Sequence, residues 1–187
     1  TKWTNLESFQ RTRGVLRTFA LALRDAEKWD QSPLVSTNVF LPEPGGSGIS
    51  ESARELTSVA TSEEYEGKKQ EWSAILQGEL EKARQIQLLF SGLRHREAEQ
   101  AVMATFLHSQ PIGHRALARE LLALLGHTRP DKIELEKVLK RWTDISWFLD
   151  EAAINDAETA SDGSKGLPKT WRLGSRPNLK QMHSAAC

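Results

Sequence analysis

Three arginines, Arg11, Arg13 and Arg17, fall within seven residues, where an amphipathic pattern sets in. The N-terminal end of a helix already carries partial positive charge, so guanidinium groups there gain nothing from the helix itself. An anion gripped by guanidinium forks and by the open N–H groups of the first turn would give these residues a purpose. Arg13 and Arg17, four apart, share a helix face. Arg11 lies about 200° round the helix from Arg13 and cannot meet the same ligand from that face. A solvated basic turn with no ligand is the plain alternative.

A second set of cations lies towards the C-terminus. Lys165, Lys169, Arg172, Arg176 and Lys180 have no acid among them. The stretch before them reverses the sign: Asp150, Glu151, Asp156, Glu158 and Asp162 have no base among them and should repel phosphates. Between Asp131 and Arg141, Lys132, Lys137, Lys140 and Arg141 stand against Asp131, Glu134 and Glu136, a weak basic excess. DNA contact would therefore use the basic strand and tail, with Lys137, Lys140 and Arg141 beside them. Protein contact through the same unit is the favoured alternative. Over the whole chain 25 Lys and Arg balance 25 Asp and Glu. That balance excludes binding of nucleic acid or acidic lipid through bulk charge.

Catalytic motifs are absent. There is no G-x-x-x-x-G-K-[ST], G-x-G-x-x-G, G-x-S-x-G or H-E-x-x-H. His95, His108, His114, His127 and His183 include no helical i, i+3 or i, i+4 pair, and Cys187 is the one thiol. No metal site is expected, and no intrachain disulfide can form. A lone cysteine fits a reducing, cytoplasmic compartment. With a mean hydropathy of −0.50 and no apolar run of about 18 residues, a membrane-spanning helix is excluded. The chain opens at Thr1, almost directly into a helical pattern, and so reads as an excised piece of a longer protein.

The elements that must position these residues are mainly helical. Phe9, Val15, Leu16, Phe19, Leu23 and Ala26 predict a long helix over Leu6–Trp29. Gly14 inside it costs about 1 kcal/mol against alanine, and a close approach by another backbone or a ligand would justify it. Ser32-Pro33 stops the helix. Val35–Leu41 reads as a short strand or extended segment, and Pro42–Gly48 as a flexible loop. Ile49–Ala60 predicts a short helix capped by Ser50. A longer helix starts at Thr61 or Ser62 and runs to about Leu93, with Tyr65, Trp72, Ile75 or Leu76, Leu80, Ala83, Ile86 and Leu89 or Phe90 on one face. Glu79, Glu81, Lys82 and Arg84 fill its solvated side. Packing of this helix on the first is favoured over a coiled-coil partner.

From Arg94 the character changes. Glu97–His108 predicts a helix with Ala98, Ala101, Val102, Thr105 and Phe106 inward. Pro111–Gly113 turns the chain. His114–Leu125 predicts a second helix ended by Gly126 at the C′ position. Pro130 opens a third in its first turn, with Ile133, Leu135, Val138, Leu139 and Trp142 inward. Ile145–Leu149 and Thr170–Leu173 read as strands joined by a long polar loop, and Pro177–Leu179 begins a last short helix. Trp72, Trp142, Trp147 and Trp171 fall on inward positions, with Trp147 and Trp171 placed as cross-strand partners. Three helices followed by two strands is the order of a winged helix-turn-helix, whose third helix enters the major groove. The fold class is therefore mainly α. A helical lid-like region, residues 1–93 with its flexible loop at 42–48, precedes a winged-helix-like unit with a small β-hairpin, residues 94–187.

Gln10–Arg17, followed by an aliphatic helix, resembles the lid-helix entry of AAA+ ATPases. More narrowly, the chain resembles a prokaryotic AAA+-like family of large ATP-binding proteins of unassigned function, often encoded beside DNA methyltransferases and defence genes. Glu71–Leu76 leading into Leu80–Arg84, Thr105–Ser109, Trp147–Glu151, and Trp171–Leu173 through Pro177–Leu179 are similar to successive segments of that family. The resemblance covers most of the chain and rests on the order of its pieces. It implies a non-catalytic C-terminal segment whose Walker motifs lie upstream. ATP and Mg would be bound mostly outside this chain. Arg13 would serve as the lid arginine that reaches the nucleotide, with Arg11 second and Arg17 on the Arg13 face. Partners would be the rest of the ATPase module, and DNA or a DNA methyltransferase. A stand-alone winged-helix DNA-binding regulator and a helical protein-interaction scaffold are the competing readings.

Overall fold

A computed structural model of the chain describes residues 12–30, 32, 34–59, 64–65, 68–69, 71–109, 114–150, 166–179 and 183. Helix α1, Thr12–Ala26, buries Thr18, Ala22 and Ala26. Leu16 and Leu23, expected inward, are exposed. Phe19 is half-buried and meets Phe40 edge-on, with ring centroids 5.6 Å apart. The buried side is thus set by small residues that let neighbours approach, rather than by the leucines. A Cβ at Gly14 would meet nothing within 4 Å among the described residues, so nothing there requires a glycine.

The segment expected to be a short strand or extended, Val35–Leu41, holds a buried 3-10 turn at Thr37–Phe40. It satisfies its backbone locally. Ser36 Oγ accepts from Asn38 N at 3.2 Å, and Leu41 N donates to Asn38 O at 2.9 Å. The Pro42–Gly48 loop turns on a Gly46 N to Glu43 O bond of 2.8 Å. Gly45 and Gly48 have φ of 81° and 80°, in the left-handed region where glycine carries no Cβ penalty. Helix α2, Glu51–Val59, starts as predicted: Ser50 Oγ accepts from Ala53 N at 3.0 Å.

The long helix expected from Thr61 or Ser62 is shorter. Strands β1, Glu64–Tyr65, and β2, Lys68–Lys69, pair antiparallel, and α3 spans Trp72–Gln87. Tyr65 is therefore a strand residue, and Leu89 lies beyond the helix and is exposed. Trp72, Ile75, Leu76, Leu80, Ala83 and Ile86 are buried as read from the sequence. They pack chiefly on α4, α6 and α2 rather than on α1.

Helix α4, Glu97–Ser109, is the centre of the molecule: every residue from Glu97 to Phe106 is buried, not one face alone. Its open N-terminus is served by side chains. Gln87 Oε1 accepts from Ala98 N at 2.7 Å, and Glu97 Oε2 accepts from His95 N at 3.0 Å. Glu97 and Glu99 in the first turn also suit the positive helix end.

After α4, residues 114–117 are not helical. Ala116–Leu117 form β3, and α5 spans Ala118–Leu125. Gly126 adopts the right-handed conformation and continues into a 3-10 turn. The left-handed stop falls on Arg129, φ 51°, so the helix does not end at a C′ glycine. Helix α6, Lys132–Ile145, is capped by Asp131, whose Oδ1 accepts from Glu134 N at 2.9 Å. Pro130 thus precedes the cap instead of opening the helix. Leu135, Val138, Leu139 and Trp142 are buried, whereas Ile133 is exposed. Ile145 belongs to α6, which shortens the expected strand to the neighbourhood of Leu149. Strand β4, Thr170–Trp171, pairs antiparallel with β3, and Leu149 bridges Leu173. The segment Thr170–Leu173 thus lies between β3 and Leu149. The chain is mainly α with small two-stranded antiparallel sheets, the fold class its sequence predicts.

Trp142 stacks on Trp171, ring centroids 5.4 Å apart and 17° between planes. The expected Trp147–Trp171 pair does not form. Trp147 is 39% exposed, and Lys82 Nζ lies over its ring at 5.6 Å. Residue 147 follows the end of α6 and not the centre of a strand, so its side chain lies at the edge of the core. One cluster of buried residues runs from Ala22 to Leu173 and passes through Leu93 and Ala98 on either side of the expected 93/94 boundary.

Candidate functional site

The first candidate is the arginine face of α1. Arg11 and the side chain of Arg13 lie outside the described residues. Arg17 is exposed, and its Nε meets Glu55 Oε1 of α2 at 2.8 Å. One turn-pair further on, Arg24 Nη2 reaches Glu51 Oε2 at 2.9 Å and Asp25 Oδ1 at 2.8 Å. These acids raise the Arg24 pKa, the hydrogen bond to Asp25 most of all. So the basic face of α1 lies along the acidic edge of α2. A phosphate drawing Arg17 would compete with Glu55 for it. Such an exposed pair is worth about 0–1 kcal/mol, so exchange is cheap.

The second candidate is the small sheet and α6. Lys165 and Lys180 lie outside the described residues. Lys169 and Arg176 are exposed, as are Lys137 and Arg141, while Lys140 is half-buried. Ala116, Leu149, Trp171 and Leu173 face the core. Strand alternation therefore puts Arg115, Asp150, Thr170 and Arg172 on the outer side. Register places Arg115 opposite Arg172, and Asp150 N donates to Arg172 O at 2.8 Å from the other flank. Asp150 Oδ2 lies 3.6 Å from Arg115 Nη2 and 3.9 Å from Arg172 Nη1. The Asp150 charge, expected to repel phosphates unopposed, is thus shared by two guanidinium groups. The other four acids of that stretch lie outside the described residues.

Between the two candidates lies a joint that sequence reasoning missed. Glu79 is fully buried, not on the solvated side of α3. Its Oε2 accepts from Trp142 Nε1 at 2.8 Å, and its Oε1 accepts from Trp147 N at 3.0 Å and Lys82 Nζ at 2.9 Å. A buried carboxylate demands such partners. Glu79 sits among other charges in the sequence, which hid it. Arg96, at φ 60°, makes a second joint. Its Nε and Nη2 donate to Glu99 at 2.8 and 2.9 Å, Nη1 donates to Pro42 O at 2.6 Å, and the group lies over the Trp29 ring. Arg84 Nη2 adds a bond to Glu99 Oε1 at 3.1 Å.

Among the described residues no three His, Cys, Asp or Glu side chains converge to hold a metal ion. No helix of the described residues is long and apolar enough to cross a membrane. No protein-family model matches the chain, and neither a curated protein nor a solved structure matches it.

Proposed function

We propose that the chain is a non-catalytic segment of an AAA+-like ATPase, which couples nucleotide state on the α1 side to a protein partner or DNA on the winged side. The observation that carries this reading is Glu79. One buried carboxylate on α3 holds both Trp142 of α6 and the backbone that follows α6. Displacement of the first helices would be passed to the third helix of the winged unit without slack, because a buried ionic joint is costly to break.

In this reading ATP and Mg belong to a core upstream of Thr1. This chain contributes an arginine at the start of α1, Arg13 first and Arg11 second. A guanidinium there recognises phosphate charge and ties lid position to the nucleotide bound. The work would lie in DNA modification or phage defence in the cytoplasm, with a DNA methyltransferase among the partners. The order of resembling segments supports this, from Gln10–Arg17 to Pro177–Leu179.

A second reading, a stand-alone winged-helix regulator, is favoured by the strand pairing and the outward Arg115 and Arg172. The test is to read the gene 5′ of the Thr1 codon and to assay Arg13→Ala in the full-length protein. An in-frame G-x-x-x-x-G-K-[ST] and lowered ATP turnover support the ATPase. A start codon a few codons upstream removes it, and unchanged turnover removes Arg13 from the site.

A further inference from the structure

We propose that Arg115, Thr170 and Arg172 form a phosphate-oxyanion site on the outer face of the β3–β4 pair, beside the Leu149–Leu173 bridge. Like charges directly opposite on neighbouring strands repel, yet Arg115 and Arg172 occupy opposite positions. One carboxylate oxygen serves both, at 3.6 and 3.9 Å, longer than the roughly 2.8 Å of a close charge-assisted bond. Among the described residues, the pair is therefore short of negative charge.

A second observation is independent of charge. Thr170 Oγ1 and Arg172 Nε, two residues apart on the same face, are shielded from solvent and have no hydrogen-bond partner among the described residues. Donors left in this state cost stability, so both are poised for a ligand that accepts hydrogen bonds. The surroundings agree. Residues 114–119 and 166–179 contain Arg115, Arg119, Lys169, Arg172 and Arg176 and no acid.

Two guanidinium forks and a hydroxyl offer more donors than the two oxygens of one carboxylate readily serve. A tetrahedral phosphate supplies the further acceptor oxygens. Asp150, lying beside that bridge, would be the built-in competitor that the phosphate partly relieves. Only the source of the phosphate rests on the winged-helix part of the reading above: a nucleic-acid backbone if that part holds, free phosphate otherwise.

The test uses the 187-residue chain without ATP, so it can fail while the ATPase reading stands, and the reverse. Binding of a labelled duplex of about 20 base pairs is followed by anisotropy across a salt series, and inorganic phosphate is assayed by thermal shift. Arg115→Ala and Arg172→Met should each weaken duplex binding about tenfold and flatten the log–log salt slope by about 1. Asp150→Asn should tighten binding about threefold by removing the competitor. Thr170→Val, an isostere, should weaken binding yet raise Tm, because it removes a buried unpaired hydroxyl. A phosphate-induced Tm rise lost in Arg172→Met, without duplex binding, upholds the site and assigns it to free phosphate. The proposal is overturned if neither probe binds, if all four variants bind as the parent does, or if polyglutamate displaces the duplex as well as inorganic phosphate does.

Discussion

The Glu79 carboxylate on α3 and the Trp142 indole on α6, 63 residues apart, meet at 2.8 Å in the middle of the core. Replacement of Glu79 by alanine strands the indole N–H, the Trp147 amide and the Lys82 ammonium together. Loss of one member of such a buried set costs about 3–5 kcal/mol. Glu79→Ala should lower the urea midpoint far more than Glu79→Gln, which keeps the volume and one acceptor oxygen. Equal midpoints for the two variants would mean that packing alone holds this joint.

Arg96 holds a left-handed backbone, which costs a side-chain-bearing residue about 1–2 kcal/mol. Its bonds to Glu99 and Pro42 O offset that strain. Arg96→Gly would relieve the backbone but lose every bond, whereas Arg96→Ala would lose the bonds and keep the strain. Glycine should therefore be the better tolerated of the two by about 1 kcal/mol. Both should speed limited proteolysis between Pro42 and Gly48, since Pro42 O loses its donor. Cleavage rates matching the parent would show that Arg96 does not restrain the loop.

Gly92 and Glu134 are coupled across 42 residues by a bond from Gly92 N to Glu134 Oε2 of 2.6 Å. A Cβ at position 92 would lie 2.7 Å from that same oxygen. The carboxylate can swing away, so Gly92→Ala should cost only the bond, about 0.5–1.5 kcal/mol. Glu134→Ala should cost a similar amount. The double variant should cost little more than either single one, and full additivity in a denaturation cycle would contradict the pairing.

The sequence carried the helices well where small caps and periodic apolar residues agree, as at Ser50 and from Trp72 to Ile86. It misled where a local device overrode periodicity. Helix α5 ends at Leu125 as the sequence suggests, but Gly126 is right-handed and the left-handed residue falls three later, on Arg129. Helix α6 starts one cap later than Pro130 suggested, because Asp131 supplies the oxygen. Strand β3 was hidden: its two residues run straight into a helix, and only pairing with β4 reveals them. Of the candidate binding residues, the extended stretch that holds Arg172 was legible, with Arg172 directly after β4. Its opposition to Arg115 was not, because register between strands some 55 residues apart leaves no local trace. Glu79 was misread because a charge on a charged helix looks solvated until the partner helix is known.

Helix α4 lacks an outward side over its first ten residues, Glu97 to Phe106. An ordinary surface helix lets mutation drift on every third or fourth turn position, and its ancestry is written in that period. Here the alanines at 98, 101 and 104 fix how near the neighbouring helices lie, and an added methyl at any of them overpacks the centre. Divergent descendants of this chain should keep that stretch as an unbroken block of constrained positions while the helices around it change on one side only.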